Sequence, residues 1–251
     1  MCLSAEVLKM SSTAYLNLRR GVPHRRVAFT NGLEKLGYKV KHGLPTYKPK
    51  QGDLLVTWNR IGLADKIARS FESTGCPVIV VENASWGNSF AGRTWYHISK
   101  KYHNVSNAFY IGPEDRWGKL EVDLCDWRPD GGESVILLQR GIGPPKTRMP
   151  NNFKNIALKK FPESRIRPHP GMKPCTSIED DLAEASQVVT WGSGAAIKAL
   201  IMGIKVQSFM PKWIGEQDNT TDGRHRMFER LSWAQWDLDE IDSGLPFRTL
   251  L

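Results

Sequence analysis

Three short stretches carry residues whose types and spacing suit chemistry on a phosphorylated ligand. Arg167-Pro168-His169-Pro170-Gly171 follows a short predicted strand, so His169 stands at a strand's carboxyl end, the edge where open α/β sheets bind ligands. The two prolines stiffen the turn, and Arg140 and Arg167 are nearby candidates for charge-assisted contacts to a phosphate. A rigid surface turn that happens to contain a histidine is the plainer account. Val189-Thr190-Trp191-Gly192-Ser193-Gly194-Ala195 passes from a strand through a Gly-Ser-Gly turn into a helix. Free N–H groups at Gly194 and beyond, with the Ser193 hydroxyl, would make an anion site; Ser193 could equally be a simple helix cap.

The third stretch is Val80-Val81-Glu82-Asn83-Ala84. It places Glu82 at the end of the clearest buried strand, where a desolvated carboxylate can act as general base on a hydroxyl. Alternatively Glu82 braces a loop by pairing with Arg60 or Arg93. Downstream, Arg93-Thr94-Trp95-Tyr96-His97-Ile98-Ser99-Lys100-Lys101-Tyr102-His103-Asn104 interleaves cations with rings. With Trp86, these rings could stack on sugars or bases, or pack as core. His97 and His103 lie six apart with no carboxylate at ligand spacing, which makes a poor metal site. Other absences narrow the chemistry: no D-x-D pair ends a strand, and no Walker A, G-x-S-x-G, kinase set or G-x-G-x-x-G follows one.

The elements that must position these residues alternate along the chain. Helical spacing over 25–36 precedes a strand at 53–58, a helix at 63–71 and a strand at 77–82, whose unbroken Val/Ile run suits a parallel strand buried on both faces. Residues 83–130 lack periodicity and read as a long, functional or lid-like loop. The alternation restarts with strands at 134–139, 165–167, 187–190 and 205–209, and helices at 152–161, 178–185 and 194–202; the tail 224–242 reads as helical. The expected fold class is α/β with two Rossmann-like lobes facing a central cleft. A turn cluster at 127–132 puts the lobes at 1–130, on the acceptor side, and 131–251, on the nucleotide side.

The 251 residues carry a net charge of +9, concentrated in two segments: +8 over residues 1–50 and +7 over 131–175. If both face one cleft they would collect polyanions, nucleic acid among them; otherwise they are two solvated surfaces. No run of about 18 apolar residues suggests a membrane span, and no signal peptide is visible at the N-terminus. Cys2, Cys76, Cys125 and Cys175 have no C-x-x-C spacing, as expected of reduced thiols in a cytoplasmic protein.

With these residues in place, the second half resembles the nucleotide-binding lobe of GT-B glycosyltransferases, most closely bacterial capsule Kdo transferases and sialyltransferases. The shared features are the His169-Pro170 dipeptide after a strand and Ser193 at a helix start after Val-Val-Thr. Val80-Val81-Glu82-Asn83-Ala84 looks like that family's E-D-G strand end, with Asn83 and Ala84 where Asp and Gly stand. The stretches 112–117, 138–143 and 232–236 also resemble a set of phage-encoded proteins. The resemblance implies a metal-independent glycosyltransferase without a cofactor and with a nucleotide-activated sugar as co-substrate, working in the cytoplasm (the host's, if phage-encoded). It implies donor contacts from His169, Ser193, Gly194, Arg140 and Arg167, with Glu82 as base. The favoured acceptor is a hydroxylated base in phage DNA, bound through segments 1–50 and 131–175, with Trp86, Trp95, Tyr96 and Arg93 around a flipped base. Two alternatives stay open: a Kdo- or sialyl-type transferase acting on a glycan or lipid-linked acceptor, and a non-catalytic nucleic-acid-binding protein on a degenerate transferase scaffold.

Overall fold

Strands whose two faces are both apolar build the core of each half of the chain. The structure is a computed structural model that describes residues 12–19, 23–106, 108–143, 145 and 147–251. In the first lobe, β1 (Thr13–Asn17), β2 (Lys39–His42), β3 (Leu54–Trp58) and β4 (Val78–Asn83) run parallel. Along β3 and β4 alternate side chains serve opposite faces. Leu54, Val56, Ile79 and Val81 pack with Phe29 and Leu33 of α1 (Pro23–Glu34), while Leu55, Val78 and Val80 pack with Phe71 of α2 (Leu63–Ser73). Both faces are therefore covered, as a parallel sheet requires.

Residues 83–130, expected as a loop, contain instead a two-residue strand, β5 (Ser89–Phe90), and an eight-residue strand, β6 (Arg93–Lys100), antiparallel to β4. The polar and aromatic letters hid it: Trp95, Tyr96, His97, Ile98 and Ser99 are all buried, so neither face shows polar alternation.

The second lobe is a four-stranded parallel sheet of β7 (Glu133–Leu137), β8 (Arg165–Arg167), β9 (Ala185–Thr190) and β10 (Lys205–Ser208), in the order β10-β9-β7-β8. One face packs on α3 (Phe153–Lys160) through Ile136, Phe153, Ala157 and Val189. The helix expected over 178–185 is a single turn, α4 (Ile178–Asp181), capped by Ser177. Beyond it the Arg128 guanidinium takes the carbonyls of Leu182, Ala183 and Ala185 at 2.6–2.8 Å, and β9 opens at Ala185. The other face carries α5 (Ala195–Ile201) and α6 (Thr221–Ser232), in a cluster that also takes in Trp86, Trp95 and Trp117 from the first half. Trp117 stacks on Phe228 at 4.4 Å between centroids, joining the lobes by one continuous apolar core.

The tail does not stay helical through 224–242. It ends α6 at Ser232, forms β11 (Gln235–Asp237), and continues as α7 (Leu238–Asp242) and α8 (Leu245–Leu250). β11 pairs antiparallel with β6, giving the first sheet the order β11-β6-β4-β3-β1-β2. A reciprocal capping box between Asp237 and Glu240 starts α7, and Ile241 and Phe247 pack into the first lobe's core beside Phe29. The span 131–251 thus includes a segment that returns to the first sheet.

Candidate active site

The carboxyl ends of β3, β4, β7, β8 and β9 open on one cleft of about 650 Å³ between the lobes, lined by Glu82, Arg140, Arg167, His169, Ser193 and Gly194, among others. Parallel sheets create this edge because every strand-to-helix turn leaves on the same side. Six residues singled out from the sequence, far apart in the chain, therefore meet.

Glu82 is half-buried. Burial pushes its carboxyl above the ordinary carboxylate value, against the opposing pull of the Asn83 N–H, the Asn59 side chain, Arg140 and Arg19. Asn59 follows β3 directly, with φ at 61°, a left-handed conformation that asparagine tolerates better than most residues and that is common at functional sites. Glu82 does not pair with Arg60 or Arg93. Arg60 is held by Asp65 and Glu72 at 3.0 and 2.7 Å, and Arg93 by Asp237 at 3.0 Å.

On the opposite wall, His169 Nδ1 accepts the Gly171 N–H at 2.8 Å. A nitrogen that accepts carries no proton, so the neutral ring bears its hydrogen on Nε2. Burial, then the charges of Arg140 and Arg167, lower its pKa, so the ring is a neutral donor at physiological pH. Arg167 has less to offer a ligand. Its Nε is hydrogen-bonded to Asp181 and its Nη2 donates to the Thr176 carbonyl at 3.0 Å. Arg140 is exposed and makes no ion pair among the described residues. Ser193 Oγ accepts the Ala195 N–H at 3.2 Å, a local cap, and keeps its own hydrogen to donate.

Two further residues of this wall carry no sequence motif. Gln139 holds the Gly192 turn through both its amide atoms, accepting the Gly192 N–H at 3.1 Å and donating to its carbonyl at 3.4 Å. Lys198, on α5, lines the cleft and pairs with Glu179 at 2.6 Å. Its polar position on an otherwise apolar helix, Ala-Ala-Ile-Lys-Ala-Leu-Ile, is the one signal that could have found it.

The expected stacking surface does not form. Trp86, Trp95 and Tyr96 are each 2 % exposed; Trp86 and Trp95 pack edge-on at 5.3 Å, and Tyr96 packs against Phe29 and Trp58. Three large rings bury more apolar area in the core than a solvent-facing site could return. Among the described residues the two basic segments meet only in part: Arg19 acts through its charge on Glu82, in the cleft of Arg140. Arg140 and Arg167 line the cleft, but Lys41, Lys48 and Lys50 border a separate hollow with Thr13, at the amino end of β1. Lys9, Arg20 and Lys146 lie outside the described residues, as does Cys2; Cys76, Cys125 and Cys175 are free.

Among the described residues, no group of three or more His, Cys, Asp or Glu is arranged to hold a metal ion, and no helix is long and apolar enough to cross a membrane.

The fold is α/β with two sheet-containing lobes in a GT-B-like, bilobed Rossmann architecture. Among solved structures the chain is similar to Thermosulfurimonas dismutans KpsC, a beta Kdo 2,4 transferase, with a TM-score of 0.56 and 13% identity over 93% of this chain and 98% of that one. Aspartate transcarbamoylase from Trypanosoma cruzi also matches, at a TM-score of 0.26 and 12% identity over 89% of this chain and 82% of that one, which carries no structural argument. No family model and no curated protein matches the chain.

Proposed function

We propose that the chain is a glycosyltransferase that moves a sugar from a nucleotide-activated donor to a hydroxyl acceptor. The observation that carries this is the division of one cleft into two chemically different walls. Glu82, a carboxylate of raised proton affinity, belongs to the first lobe; His169 Nε2–H, Arg140 and the Ser193-Gly194 turn belong to the second. In the step proposed, the acceptor O–H proton passes to Glu82 as the acceptor oxygen bonds to the anomeric carbon. The bond from that carbon to the donor's phosphate oxygen breaks, and its electron pair stays on the phosphate. His169, Arg140 and the turn then meet charge that is greatest as the bond breaks, where preorganised donors lower a barrier most. Protein groups alone neutralise the leaving phosphate here, so turnover is expected to be unchanged by EDTA.

A hydroxylated base in DNA loses much of its support as acceptor, because the rings meant to hold it are in the core. The likeness to a Kdo transferase supports the GT-B architecture and leaves the sugar open. The test is a thermal-shift screen against UDP-, GDP-, CMP- and dTDP-sugars. A donor at a hundred times its dissociation constant stabilises by about 2.7 kcal/mol, a rise of roughly 5–10 °C in a domain of this size. No shift with any of them, together with unchanged biological activity of His169→Ala and Glu82→Ala, would instead support a non-catalytic binder.

A further inference from the structure

The residues facing each other across the cleft differ in charge, and the difference bears on the acceptor. The second-lobe wall presents Arg140, which makes no ion pair among the described residues, beside the neutral His169 and beside Arg167 and Lys198, which Asp181 and Glu179 take up. Among the described residues that line the first-lobe wall the one Lys or Arg is Arg60, whose side chain is 3% exposed and taken up by Asp65 and Glu72. What remains there is a set of uncharged hydrogen-bonding groups around the Glu82 carboxylate.

Two of these groups have spare capacity. Asn104 is 9% exposed and lines the cleft, yet its Oδ1 is buried without a hydrogen-bond partner. Its Nδ2 reaches only Met210 Sδ, at 3.5 Å. A buried acceptor left unpaired is costly, and such groups in folded proteins are normally met by a ligand or an ordered water. His103, its neighbour, also lines the cleft, and its ring makes no hydrogen bond to any described residue. Burial lowers its pKa to about 4, which leaves a neutral imidazole with one donor and one acceptor, the combination a hydroxyl can satisfy in either direction.

We propose that the first-lobe wall is a subsite for an uncharged, polyhydroxylated acceptor, a sugar or polyol, with His103 and Asn104 holding hydroxyls beside Glu82. This rests on the transferase reading above. An anionic acceptor is disfavoured on this wall, since it would meet the Glu82 carboxylate, and the charge of Arg19 is the weakest of the pulls on that group. Duplex DNA, with a phosphate at every nucleotide, fits it poorly.

The test follows the imidazole resonances of the full chain, labelled at histidine, during titration with methyl glucoside, methyl glucuronide and a duplex oligonucleotide, and separately with UDP and CMP. The His103 signal is assigned by its loss in His103→Gln. Methyl glucoside is expected to move His103 saturably, methyl glucuronide to move it less, and the duplex not to move it. His103→Ala should weaken glucoside binding about tenfold while leaving nucleotide binding intact; if that variant does not fold, the titration of the unaltered chain stands alone. A His103 signal indifferent to the glucoside, or moved more by the duplex, overturns the subsite. Nucleotides that fail to move His169 overturn the donor assignment instead, whatever the glucoside does at His103.

Discussion

Gln235 Nε2 lies 2.8 Å from Nδ1 of His97, joining residues 138 positions apart, and Gln235 Oε1 accepts the Ser85 N–H at 2.9 Å. A single amide on the returning strand thus braces both an imidazole of the cleft wall and the loop that follows Glu82. The ring passes the constraint on: Ser99 Oγ donates to the Tyr102 carbonyl, so it must accept from His97 Nε2–H at 3.1 Å. Gln235→Leu removes the partners of a buried ring nitrogen and a part-buried N–H. The expected loss is about 1–3 kcal/mol, with each kcal/mol lowering the melting temperature roughly 2–4 °C. A variant that melts with the parent would refute the brace.

His169→Ala removes the Nε2–H donor, and Arg140→Ala removes a guanidinium that no carboxylate of the described residues occupies. Each is expected to weaken donor binding about tenfold, the value of one charge-assisted contact of about 1.5 kcal/mol. Arg167→Ala should act mainly on stability, because its guanidinium is engaged with Asp181 and Thr176. Calorimetric titration of the three variants with the donor from the screen ranks them; Arg167→Ala showing the largest affinity loss at unchanged stability would reverse the assignment.

Glu82 must be ionised to accept a proton, and its pKa is raised from the ordinary value of 4.5. The acid limb of kcat/KM against pH should therefore lie above that value, with activity rising as pH increases through it. Glu82→Gln should lower kcat by a factor of about 100 or more and abolish that limb. A limb that persists unchanged in the variant assigns the base to another group.

His97 carries a stability signature of definite sign. Its pKa falls from 6.5 to about 3 in the folded chain because burial penalises the cation. Above about pH 6.5 the ring is neutral in both states and costs nothing. Below it only the unfolded chain takes up the proton, so folding loses about 1.4 kcal/mol per pH unit until the folded ring titrates. Urea unfolding at pH 7 and pH 5.5 should show a loss that is about 1 kcal/mol smaller in His97→Gln than in the parent. Equal losses would mean that the ring titrates normally.

Gly32 marks where the returning tail touches the first lobe. A Cβ there would stand 2.0 Å from the Ile241 carbonyl oxygen and 2.9 Å from the Phe247 ring. Gly32→Ala should force α1 and α7 apart and cost about 1–3 kcal/mol, visible in a denaturant melt. A neutral substitution would show that the tail is held only loosely.

Sequence alone determined what local composition and period can express. Val78–Val81 read as a strand buried on both faces, and the turns at His169 and Ser193 as strand ends; hence the α/β class and most of the second-lobe wall of the cleft were legible. Tertiary structure decided what depends on which face a residue shows and on who its distant neighbours are. Trp86, Trp95 and Tyr96 read equally well as a binding surface or as core, because aromatic letters carry no sign of burial; the packing of β6 against β4 and β11 put them inside. Arg140 and Arg167 looked alike until Asp181 took one of them. The three residues of β11 hold too little apolar surface to announce a strand by themselves, and they become one only when the edge of β6 offers hydrogen bonds. Through Gln235 that late pairing reaches His97 and Ser85, a long-range effect that no local pattern encodes because its energy exists only once both lobes have closed.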